Sequence, residues 1–132
     1  MKSIDSLKEA YNIPVVQNSP GIRKVKVAIV IAYSYVNLLN DFNTYWHSPI
    51  THAQNIPLPD VKVHTMSGAL YNEQWAQESC LDLQILASVN PNAEIWVVEA
   101  RSNYVPDMVK AVNYATDVIK ADVISMSWGL ND

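Results

Sequence analysis

"KVKVAIVIAY", residues 24–33, is the stretch that decides the fold. Its centre, Val27 to Ile31, is an unbroken apolar run rich in β-branched side chains. A strand with one wet face alternates apolar and polar residues. A run like this one fits a strand covered on both faces, as in parallel sheets packed between helices. Outward from it, "VNLLNDFNTYW" (36–46) places Leu38, Leu39, Phe42, Tyr45 and Trp46 at helical spacing. Residues 47–60 hold Pro49, Pro57 and Pro59 without a period and read as a loop. "VKVHTM" (61–66) alternates as a strand and "SGAL" is a turn. "NEQWAQESCLDLQILASV" (72–89) is the longest helix, broken by "PNA". "EIWVVEA" (94–100) is a second strong strand. "PDMVKAVNYATDVIK" (106–120) is a helix with Pro106 in its first turn, where a missing N–H costs little. "DVISMSWG" (122–129) is the last strand.

Strands alternating with helices predict an α/β fold: a three-layer parallel sheet with helices on both faces, its crossovers right-handed. Residues 1–24 form a lead-in segment. It holds a short helix over "IDSLKEAYNI", capped at Asp5 or Ser6, and ends at Pro14 and the "NSPG" turn. Residues 25–132 form the domain. Ligands of such sheets bind at the carboxyl ends of the strands, here "AYSY" (32–35), "TMSG" (65–68), "EARSN" (99–103) and "SWGLND" (127–132).

Composition narrows the function. The 132 residues suit one domain. A net charge of −4, with no basic run, gives no electrostatic reason to bind nucleic acid or an anionic membrane. The N-terminus lacks the apolar core of a signal peptide, and the longest apolar stretch is too short to cross a bilayer, so the chain as written reads as cytoplasmic. Cys80, the single cysteine, rules out an internal disulfide and reads as a small buried hydrophobe. His47, His52 and His64 have no metal-ligand spacing, so neither a metal nor a cofactor is expected. With only three glycines there is no dinucleotide fingerprint, Walker loop or G-x-S-x-G elbow.

The polar feature that stands out is Glu78 with Asp82, four residues apart on one helix face, about 6 Å between Cβ atoms. Two surface acids would explain them. Trp75, three residues before Glu78, offers a second explanation, because a large ring on the same face shields an acid from water. Two coupled carboxylates, one taking a proton and the other orienting it, make a general base.

Four segments in this order resemble the sedolisins, the serine-carboxyl peptidases with a subtilisin-like fold: "LKEAYNIP", "KVAIVIAY", "WAQESCLDLQILASVNPNAEIWVVEA" and "DVISMSWG". The resemblance covers most of residues 7–129. It implies that residues 25–132 are the N-terminal part of a peptidase domain, a truncated subtilisin-like (Rossmann-like) half-domain. It also implies that Glu78 is the general base for a nucleophilic serine and Asp82 the acid that orients it. Ser127, Trp128 and Gly129 match the strand lining the substrate cleft, where a peptide can pair with backbone groups. The first core strand of ordinary subtilisins ends in a catalytic aspartate, and Ile31 stands at that position here, which favours the sedolisin branch.

The family's G-T-S nucleophile motif, its A-G-D oxyanion motif and its calcium site have no counterpart in these residues. The single chain is therefore expected to be catalytically incomplete, a pseudoenzyme-like piece whose peptide or protein substrate is cleaved only when a second chain completes it. A non-catalytic module that holds peptides or assembles with itself is the alternative, since a sheet cut at its last strand leaves an open edge and favours a homo-oligomer. An unrelated nucleotide- or flavin-binding α/β domain is the third reading, against which the absent glycine loop speaks.

Overall fold

The computed structural model describes residues 24–48 and 56–126. The lead-in segment up to residue 23, much of the proline-rich loop, and Ser127, Trp128 and Gly129 lie outside the described residues. Four parallel strands form one sheet in the order β2-β3-β1-β4: β1 Lys26–Ala32, β2 Asp60–Thr65, β3 Glu94–Ala100 and β4 Val123–Ser125. Three helices connect them: α1 Leu38–Trp46, α2 Glu73–Val89 and α3 Val105–Tyr114. The α/β architecture and each strand and helix expected within these residues are present.

The central run behaves as its composition requires. Val27, Ile29 and Ile31 face one way, into a cluster with Leu38, Phe42 and Trp46 of α1, Leu83 and Ala87 of α2, and Ile95 and Val97 of β3. Ala28, Val30 and Ala32 face the other way, against Met108 and Ala111 of α3 and against Ala115 and Ile119. The alternation that appears absent from "VAIVI" is a size alternation in part: Ala28 and Ala32 make room for α3, and isoleucine fills the thicker layer under α1 and α2.

Helix α2 starts where Asn72, in an extended conformation, accepts a hydrogen bond from the Trp75 backbone N–H (3.1 Å), satisfying one of the orphan donors of the first turn. It stops before Pro91. Helix α3 departs from the expected single span to residue 120. Its last turn, Ala115–Ile119, is widened into a π turn. The Thr116 hydroxyl donates to the Val112 carbonyl (3.0 Å), offering the ladder a side-chain competitor. Lys120 then closes the helix at φ 59°, in the left-handed region that favours glycine. Lys120 is exposed, so Lys120→Gly is expected to raise stability by about 1 kcal/mol, read as a higher midpoint in urea.

β4 is fastened at its start. The Lys26 N–H donates to the Asp122 carboxylate (2.8 Å), and the Asp122 N–H to the Lys26 carbonyl (2.7 Å). At the same amino end of the sheet, Lys62 bridges Asp60 and Glu94, at 3.5 and 3.3 Å. His64 stacks on Tyr114, rings 3.8 Å apart, as a packing residue.

The crossovers correct one expectation. β1 to β2 runs two places across the sheet with α1 on one face. β2 to β3 runs back with α2 on that same face, and β3 to β4 continues that way with α3 on the other face. Reversing direction on one face reverses the hand; reversing both direction and face preserves it. The α1 and α3 connections therefore share a hand and the α2 connection opposes it. Since right-handed crossovers prevail, α2 is carried by the left-handed one. Burial outweighs the preference here: α2 on this face covers β1 beside α1, whereas on the other it would compete with α3.

Candidate functional site

The carboxyl ends of β1, β2 and β3 converge, and hydrogen bonds beyond the ladder hold them. Tyr33 follows β1 at φ 65°, a strained conformation for a bulky residue. Its N–H still donates to the Ala100 carbonyl (2.8 Å), so the kink falls just past the last β1–β3 bond. The kink redirects the chain. The Ser34 N–H reaches the Leu70 carbonyl (2.8 Å), and the Tyr35 N–H reaches the Glu99 carboxylate at Oε2 (2.7 Å). The other oxygen, Oε1, accepts from the Thr65 hydroxyl (2.6 Å). Glu99 is only 1% exposed and stands between Ile31 and Thr65 in the sheet register. Burial pushes its carboxyl above the usual range, while the Thr65 and Tyr35 donors pull it back.

Across the turn at Gly68, whose φ of +85° suits glycine, the chain enters α2. Trp75 in its first turn meets the Tyr33 ring at a tilt, centroids 6.4 Å apart and planes inclined by 56°. Tyr33 is anchored by its hydroxyl, which donates to Asn103 (3.0 Å). Trp75 packs against both core clusters, so it sits over the end of the sheet where the two faces meet.

From there α2 has two flanks. Cys80 and Gln84 lie toward α1, and Ser88 is within 3.1 Å of the Tyr45 hydroxyl of α1. Glu78 and Asp82 lie on the opposite flank with Trp75, both half-buried. The Asp82 Oδ2 atom is closed off from solvent. α1 covers the β2 side, where Val61 and Val63 pack into the core, which leaves the acid flank to the β4 side. On β4, Val123 and Ser125 project to this same face by their register with Val27 and Ile29, and Val123 is exposed. The acid pair therefore borders a strip of sheet that no described helix covers.

Sequence reading singled out Glu78 and Asp82, and they do share a flank. Leu81 and Ile85, apolar residues on the same helix, are exposed at 54% and 63%. Cys80 is half-buried, with burial first and the Asp41 carboxylate second pushing its thiol up, which disfavours the thiolate. Glu99 was missed as a site residue. The signal was available: an acid set in the apolar, buried second half of a strand must find donors inside the fold. Among the described residues no group of three or more His, Cys, Asp and Glu is placed to hold a metal, and no helix is long and apolar enough to cross a membrane.

No family model and no curated protein sequence matches the chain. Among solved structures, a Pseudomonas sedolisin, a serine-carboxyl proteinase complexed with two molecules of pseudo-iodotyrostatin, superposes at a TM-score of 0.64 over 80% of this chain. The fold is sedolisin-like. Identity is 18%, and the chain spans 29% of that sedolisin's length. The likeness therefore speaks for the sedolisin, subtilisin-like fold and for that alone.

Proposed function

We propose that this chain carries the base-bearing part of a sedolisin-like serine peptidase site. Glu78 is the general base, Asp82 holds and tunes it, and Ser127, Trp128 and Gly129 line the peptide cleft. One observation carries the reading: on a sedolisin-like sheet, α2 turns both half-buried carboxylates away from α1, beside Trp75, toward the strip next to β4 that no described helix covers. In the reaction, a serine hydroxyl attacks the scissile carbonyl carbon as its proton passes to Glu78. The same proton then goes to the leaving amine as the peptide C–N bond breaks. Asp82 keeps Glu78 oriented throughout. These 132 residues hold no G-T-S or A-G-D sequence, so the nucleophile and the oxyanion donor must be supplied by sequence outside them. Alone, the chain should cleave no peptide at acidic pH; joined to a segment bearing those motifs it should. The decisive variant is taken up in the Discussion.

A second reading rests on the exposed Ile85, Val89 and Val123 around the same flank. A non-catalytic module would use that surface to hold a peptide or a second copy of itself. Light scattering then gives a dimer or larger species that Ile85→Glu dissociates. A monomer at every concentration rejects self-assembly through this surface.

A further inference from the structure

On the other flank of α2 lies a cavity of about 510 Å³ that the peptidase reading does not use. It opens between α1 and α2 at the carboxyl end of the sheet. Tyr35, Asp41, Tyr71, Glu73 and Cys80 surround it, with Ala76 and Leu81 along one wall. The Tyr35 and Tyr71 rings are tilted against each other with centroids 6.0 Å apart. The Tyr35 hydroxyl donates to Asp41 Oδ2, and this bond, with burial and the charge of Asp41 behind it, pushes the Tyr35 hydroxyl up to about 12. Tyr35 therefore stays neutral and its ring keeps a negative π face. Asp41 and Glu73 bring two carboxylates, and among the described residues no Lys, Arg or His lines the space. Among the described residues neither acid is in an ion pair.

We infer that this cavity binds an arginine side chain of a peptide or protein partner. Two aromatic faces and two unopposed carboxylates suit a delocalised cation with an apolar stem. The guanidinium is planar, stacks on tyrosine and donates in a fork that matches a carboxylate. The stem would run along Ala76 and Leu81. A neutral ligand would leave the acids unanswered, and an anion would be repelled. The site is separate from Glu78 and Asp82, on the opposite side of the helix, and it requires no reaction there.

The test is a heteronuclear NMR titration of the whole chain with the peptide acetyl-Ala-Arg-Ala-amide and its citrulline counterpart, which keeps the shape and loses the charge. The arginine peptide is expected to shift the amides of Tyr71, Gln77 and Cys80, and the citrulline peptide to bind at least about tenfold more weakly. Asp41→Asn, whose side-chain oxygen still accepts from Tyr35, and Glu73→Gln should each weaken the arginine peptide several-fold while leaving the rest of the spectrum in place. Free arginine amide and the lysine peptide serve as further arms, and tighter binding of the lysine peptide would overturn the choice of guanidinium. Equal binding of arginine and citrulline, shifts confined to other surfaces, or no shift up to about 10 mM peptide would overturn the site itself.

Discussion

Replacing Glu99 by alanine is expected to cost about 2–3 kcal/mol. It strips two acceptor oxygens from a side chain closed to solvent, leaving the Tyr35 N–H and the Thr65 hydroxyl without their partner. Glu99→Gln behaves differently. Its amide oxygen can accept from Tyr35 while its NH2 group donates to Thr65 Oγ1, so the clamp survives without the charge. The folded carboxyl is raised above its unfolded value. The native state thus holds a proton that the unfolded chain has already released, and stability falls as pH rises from about 4 toward the raised value. Below both titrations this penalty is absent; above both it is complete. Urea unfolding at a series of pH values should show the wild type losing stability across that window. Glu99→Gln should lack this component and gain on the wild type at neutral pH by about 1.4 kcal/mol for each pH unit separating the two titrations. Parallel pH profiles for the two proteins would contradict the account of Glu99.

Particular residues show how far the sequence could be read. "VAIVI" announced a strand covered on both faces because no polar residue interrupts it, and the clusters around Val27–Ile31 and Ala28–Ala32 are the two coverings. Strand β3 was legible to the residue, since Pro91 and the Arg101 turn bracket it. The hand of the α2 crossover was not, because nothing local to residues 72–89 encodes which face a helix takes; it follows from what α1 and α3 already occupy. The π turn after Tyr114 was hidden for a similar reason: Thr116, Val118 and Ile119 fit a helical period, and the hydroxyl that loosens the ladder is visible only in three dimensions. Glu78 and Asp82 were legible as neighbours on one face. That their flank borders the open β4 side depends on where α1 lies. Glu99 and Tyr33 were hard to see for opposite reasons. One looked like a stray acid at a strand end, and the other is a residue type that seldom takes a positive φ.

The peptidase reading stands or falls on Glu78. The direct measurement mixes this chain with a segment of a sedolisin bearing the G-T-S and A-G-D motifs and follows cleavage of a fluorogenic peptide at acidic pH. The wild-type mixture is expected to turn over. Glu78→Gln, shown by circular dichroism to keep its fold, should lose about 10²–10⁴-fold, the range typical of a missing general base. No turnover by the wild-type mixture, or turnover that survives undiminished in Glu78→Gln, would contradict the role assigned to the acid pair.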